Sequence, residues 1–147
     1  MAGEKVLMFL NGTAMSGQKD HHTVGGSRFL GEARTAPVYR FYAVRDEFPG
    51  LVYSPGDGTT IVGELYEMDI DVWQNSLLPS EPPELVPGTV MLSDQREARV
   101  MTLEVGRVTP GDKLVDISSF GGWRLYLEAL RDANAGGVPP EDGRTGS

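Results

Sequence analysis

The stretch Val6-Leu7-Met8-Phe9-Leu10, followed by Asn11-Gly12-Thr13-Ala14-Met15-Ser16-Gly17, decides how this chain is read. Consecutive apolar residues with branched and aromatic members form a short buried strand. The run stops abruptly in small residues that leave backbone N–H groups free. Amides converging at the end of a buried strand can hold an anion, as oriented N–H groups do in nests and at helix starts. Taken alone, the segment fits both a plain strand-to-loop turn and a site for a small acid.

Downstream, the chain reads as short strands with few helices. Phe29-Leu30 and residues 38–44 have strand character, interrupted near Ala36-Pro37. Pro37 cannot donate to a ladder, so a bulge, bend or edge belongs there. Leu51-Val52-Tyr53 and residues 61–68 flank Ser54-Pro55-Gly56-Asp57-Gly58, turn chemistry that predicts a hairpin. Asp69 is placed to cap a short helix through Trp73, and Pro79, Pro82 and Pro83 break the chain beyond it. Residues 89–92 and 98–105 make a second hairpin around Ser93-Asp94-Gln95.

Residues 118–130 have helical spacing, with Phe120, Trp123, Leu127 and Leu130 on one face. Asp116 or Ser118 can cap the start. Gly121-Gly122 in the first turns costs roughly 1 kcal/mol per glycine relative to Ala, so something is expected to pack too close for a side chain. The fold class is α+β: a small mixed, mostly antiparallel β-barrel with flanking helices. A doubly wound sheet is excluded by the lack of strand–helix alternation. The domain is placed at residues 1–132, with a Gly-, Pro- and charge-rich flexible tail over 133–147.

The chain has 147 residues and a net charge of −8, which fits one domain with a real core. No two basic residues are adjacent, so neither nucleic acid nor an anionic membrane is an expected partner. An acidic surface does not attract an anion at long range, and an anion site here must work through local geometry. Cysteine is absent, which removes thiol catalysis and disulfides and fits a reducing compartment. With no signal-peptide form at the N-terminus and no membrane-length apolar run, a cytoplasmic protein is expected.

The histidines are His21 and His22, beside Asp20. Either can exchange protons near neutral pH next to the anion loop. A metal site at Asp20-His21-His22 is disfavoured, because adjacent residues rarely aim at one ion and no third ligand stands nearby. Glu64 and Glu67 lie an odd number apart on one strand, so at most one faces a barrel interior as a general base. Arg34, Arg40 and Arg124 could each hold a carboxylate in bidentate fashion or serve in ordinary ion pairs.

Three segments together resemble a known family: Leu10-Asn11-Gly12-Thr13-Ala14-Met15-Ser16-Gly17-Gln18, Arg34-Thr35-Ala36-Pro37-Val38-Tyr39-Arg40-Phe41-Tyr42, and Asp116-Ile117-Ser118-Ser119-Phe120-Gly121-Gly122-Trp123-Arg124-Leu125-Tyr126-Leu127. They look like the C-terminal domain of allophanate hydrolases, and Gly63-Glu64-Leu65-Tyr66-Glu67-Met68 and Gly88-Thr89-Val90 fall in the same order. The resemblance implies a gamma-glutamylcyclotransferase-like fold. It implies that Asn11, Gly12, Thr13, Ala14 and Met15 hold the substrate's carboxylate, and that His22 is the acid–base group after the glycine turn. Arg34, Tyr39, Tyr66 and Trp123 are the accompanying candidates for substrate contact. The glutamate used by cyclotransferases falls at Glu81 or Glu84, with the register blurred by Pro82 and Pro83.

The implied activity is decarboxylation of N-carboxycarbamate, without a cofactor or metal. No counterpart of the amidase half with its serine nucleophile is seen. The alternatives are cyclotransferase action on gamma-glutamyl amides, and a non-catalytic subunit for a separate amidase. A small carboxylate substrate, an amidase partner and a homodimer are the expected associations.

Overall fold

The computed structural model describes residues 4–136. Eight strands form one curled mixed sheet: β1 (Lys5–Leu10), β2 (Arg28–Arg34), β3 (Tyr39–Val44), β4 (Phe48–Tyr53), β5 (Val62–Asp69), β6 (Leu85–Met91), β7 (Glu97–Leu103) and β8 (Leu114–Asp116). The order is β2-β5-β1-β7-β4-β3-β8, with β6 also on β7. Antiparallel pairs predominate, while β7 runs parallel to both β1 and β4. Short helical turns α1 (Ile70–Val72) and α2 (Leu78–Ser80) enclose a π-helical Trp73–Leu77, and α3 (Trp123–Gly136) is the long helix. No helix among the described residues is long and apolar enough to cross a membrane.

The position of β7 creates the space that matters. Strand β6 pairs with it from Leu85↔Leu103 to Met91↔Glu97 and so occupies one edge along its whole length. Strands β1 and β4 must therefore share the other edge, through Met8↔Arg99 and Leu51↔Thr102. The end of β1 and the start of β4 diverge there, leaving a gap at the carboxyl end of β1. Beneath it lies a continuous core that includes Met8, Phe9, Phe41, Leu51, Ile61, Met68, Leu92, Ile117 and Trp123.

The first strand, the interruption at Pro37 and the β6–β7 hairpin stand as expected; Gln95 takes a left-handed φ of 74° in that hairpin's turn. Other expectations need correction. Residues 54–58 do form a turn, with Asp57 N–H donating to the Ser54 carbonyl, but they do not join β4 to β5. Strand β4 instead pairs with β3 through Tyr39↔Tyr53 to Val44↔Phe48. That hairpin turns on Arg45 and Asp46, at φ 52° and 57°. L-residues rarely adopt this conformation, and glycine is the usual signal for it.

Asp69 precedes the helix but makes no side-chain cap; its carboxylate pairs with Lys5 at 2.6 Å. Gly121 is required by its φ of 78°, not by close packing. A Cβ on Gly122 would meet only ordinary contacts, the nearest 3.5 Å away on Val62. Phe120 sits in a separate 3₁₀ turn (Ser118–Phe120) and is exposed, while Tyr126 takes the buried place beside Trp123. Asp116, one residue before the N-cap Ile117, accepts the Ser118 amide at 2.9 Å. Helix α3 continues past residue 132 to Gly136, and residues 137–147 of the expected tail lie outside the described residues.

Candidate functional site

In the gap between β1 and β4 lies a small cavity of about 30 Å³, lined by Phe9, Leu10, Asn11, Gly12, Thr13, Ala14, Phe48, Pro49 and Glu81 among others. The loop after β1 folds back on itself: the Met15 amide donates to the Gly12 carbonyl at 3.1 Å, and the Asp20 amide to the Thr13 carbonyl at 2.8 Å. Among the described residues, the amides of Gly12, Thr13 and Ala14 have no acceptor. Asn11 is buried, and its Nδ2 likewise has no partner. Buried N–H groups are rarely left without a partner, so this cluster of donors is suited to an anion. Gly12 is obligatory here, because a Cβ would stand 2.6 Å from Pro49 Cδ.

Glu81 reaches this cavity from the end of α2, where its amide closes the last turn on the Leu78 carbonyl at 3.2 Å. The chain then leaves in extended form into Pro82 and Pro83. Burial, reinforced by the nearby Asp20 carboxylate, pushes the Glu81 carboxyl up to about 7. Such a group is half ionised at neutral pH and can both take and return a proton. A wider cleft of about 230 Å³ shares Thr13 and Phe48 with the cavity, and Ser80 and Pro82 flank Glu81 in its wall.

The candidates from the sequence fall into separate places. Asn11, Gly12, Thr13, Ala14 and Glu81 come together. Met15 does not join the donors, since its amide is satisfied within the loop and its side chain is buried. Met15, Arg34 and Trp123 line a different cavity of about 330 Å³ between β2, β5 and α3, together with Arg124. Tyr39 is buried elsewhere, its hydroxyl accepting the Met91 amide at 2.9 Å. Tyr66 faces Glu64, His21 and Phe29. His22 is exposed; its neighbour His21 touches the loop, with Nδ1 3.0 Å from the Ala14 carbonyl oxygen. Glu84 is buried in an ion pair with Arg45 at 2.8 Å, and that hydrogen bond holds its carboxyl below the ordinary range.

Sequence reasoning missed three contributors. Phe48 and Pro49 close the cavity from β4, which only the parallel pairing with β7 brings near. Ser16 is tied to Glu64, with its amide 2.8 Å and its hydroxyl 2.6 Å from the carboxylate. The only advance signal was the glycine at 12, which marks a close backbone approach without naming the neighbour.

A family model described as the allophanate hydrolase C-terminal domain matches residues 6–128. Gamma-glutamylaminecyclotransferase A of Danio rerio is 37% identical over 70 residues, 44% of this chain and 44% of that protein. The chain therefore spans less than half the length of that curated relative. Among solved structures, a uropathogenic E. coli-specific protein superposes with a TM-score of 0.77 at 29% identity, covering 85% of this chain and 97% of the other. The allophanate hydrolase of Kluyveromyces lactis gives 0.79 at 25% identity, over 86% of this chain and 22% of that one. The curled α+β half-barrel is the fold shared with both of these structures. From the match across residues 6–128, the chain belongs to the allophanate hydrolase C-terminal domain family.

Proposed function

We propose that this protein is an enzyme acting on a small carboxylate-bearing substrate, with Glu81 as the proton carrier, and that it uses cyclotransferase chemistry on gamma-glutamyl amides. One observation carries the reading: Glu81, its carboxyl at about 7, lines the same cavity as the donors of residues 11–14. The activity for which the Danio rerio relative is named supports it.

Each residue has its own share of the work. The amides of Gly12, Thr13 and Ala14, with Asn11 Nδ2, hold the substrate's carboxylate. The substrate's amino nitrogen attacks its own γ-carbonyl carbon, and Glu81 accepts the proton that nitrogen must lose. As the ring closes to 5-oxoproline, the amide C–N bond breaks, and Glu81 returns the proton to the departing amine. A base with a pKa near the working pH serves both halves of this transfer. The wider cleft beside Glu81 is the space for the departing group.

The test is release of 5-oxoproline from a panel of gamma-glutamyl amides. Release that Glu81→Gln abolishes supports the proposal. No release from any member rejects it.

A second reading is decarboxylation of N-carboxycarbamate supplied by a separate amidase, favoured by the family match and by the small size of the cavity. In this version Glu81, not the exposed His22, protonates the nitrogen as carbon dioxide leaves. Carbon dioxide release from amidase-generated substrate, lost in Glu81→Gln and kept in His22→Ala, would establish it.

A further inference from the structure

We propose that Glu64 is a positioning residue that sets the shape of the anion-holding loop, pinning that loop at both of its ends. The proposal rests on the assignment of residues 11–14 as a carboxylate-holding loop, and it adds a residue that touches no substrate.

Two features of one residue carry it. The backbone of Glu64 pairs with Leu10, the last residue of β1, in the antiparallel β1–β5 ladder. Its side-chain carboxylate accepts the amide and the hydroxyl of Ser16, at 2.8 and 2.6 Å. Residues 11–15, which contain the free amides of Gly12, Thr13 and Ala14 and the free Asn11 Nδ2, are thus spanned between two attachments to Glu64. Within the span, the Met15–Gly12 hydrogen bond completes a turn. Fixing both ends leaves the three free amides little room to diverge, and binding then costs little ordering.

The carboxylate is itself held by two further groups. Arg124 Nη2 lies 3.0 Å from one oxygen and also donates to the Ser16 carbonyl, and the Tyr66 hydroxyl donates to the other oxygen at 3.1 Å. Glu64 is 5% exposed. Burial opposes its charge, yet the Ser16 and Arg124 bonds outweigh burial and hold the carboxyl below its ordinary range. A neutral amide could not replace it, since its NH₂ would face donors on Arg124 and Ser16. This also gives a task to the Phe120-Gly121-Gly122-Trp123-Arg124 segment. Left-handed Gly121 starts α3 where Arg124 reaches back to the loop.

The test measures malonate affinity by calorimetry, alongside steady-state turnover. Glu64→Gln should weaken malonate binding by roughly tenfold and raise KM comparably, with kcat within about threefold. Glu64→Asp should recover part of the loss. The turnover pH midpoint should be unchanged in Glu64→Gln, since Glu81 sets it. Ser16→Ala and Arg124→Met each remove part of the clamp and should weaken malonate several-fold; they serve if Glu64→Gln does not fold. Unaltered protein that binds malonate, with the same affinity in these variants, overturns the role of Glu64 alone. Unaltered protein that binds no malonate overturns the loop assignment and this inference with it.

Discussion

Glu81 and Glu84 stand three residues apart and meet opposite surroundings. Glu81 lines the cavity at the end of β1, where burial pushes its carboxyl up to about 7. Glu84 is buried against Arg45 at 2.8 Å, which holds its carboxyl down. One is suited to exchange protons, the other to remain a fixed charge.

The raised carboxyl has a consequence for stability. Because the folded state binds the Glu81 proton more tightly than the unfolded chain, stability falls as pH rises from about 4.5 to about 7 and is level above. A displacement of this size corresponds to roughly 3 kcal/mol at most. Glu81→Gln should therefore be more stable than the unaltered protein at pH 8, and equal to it at pH 4. Urea unfolding at the two pH values measures this; equal stability at pH 8 would mean that the half-buried setting of Glu81 does not raise its carboxyl.

The same group sets the pH response of turnover. With Glu81 as the base, kcat/KM should rise about tenfold per pH unit below 7 and level off above it. A profile measured from pH 5 to 9 on a gamma-glutamyl amide checks this. If His22 were the proton carrier instead, His22→Ala would abolish turnover, and we expect it to leave turnover unchanged.

Glu84 should matter for folding alone. Arg45 carries a φ of 52° in the β3–β4 turn and is braced by Glu84, Glu47 and Asp112. Removing the buried partner leaves Arg45 with fewer compensating charges. Glu84→Ala should lower the melting temperature by roughly 5 °C, while the pH midpoint of turnover stays where it is.

Gly12 tests the loop's close approach to β4. An added methyl would stand 2.6 Å from Pro49 Cδ, and overpacking of this kind costs roughly 1–3 kcal/mol. Gly12→Ala should remain folded at low temperature and lose malonate binding, as seen by calorimetry. Retained binding would show that the loop can shift without losing its donors.

The fold was legible where local pattern and tertiary context agree. The apolar run of β1, the small-residue turn after it and the β6–β7 turn all carry their own signals. The β3–β4 hairpin carries none, because Arg45 and Asp46 take the left-handed conformation without glycine. Lys113 and Tyr126, distant in sequence, hold Asp46 there. The site was legible in part for the same reason. The loop could be read from its composition, but Glu81 and Glu84 could not be ranked, since Pro82 and Pro83 erase periodicity between them. The bond from Ser16 to Glu64 joins residues 48 positions apart, and spacing rules say nothing at that range. Arg124 could be read either as a carboxylate ligand or as an ion-pair partner; the structure gives it to Glu64 and Ser16.

The decisive measurement for the carboxylate-holding loop and its proton carrier is a crystal structure of the protein with malonate. One malonate carboxylate should rest against the amides of Gly12, Thr13 and Ala14 and against Asn11 Nδ2, with a Glu81 oxygen within hydrogen-bond reach of the ligand. Malonate bound instead in the cavity of Arg34 and Trp123, with the loop of residues 11–14 empty, would contradict both assignments.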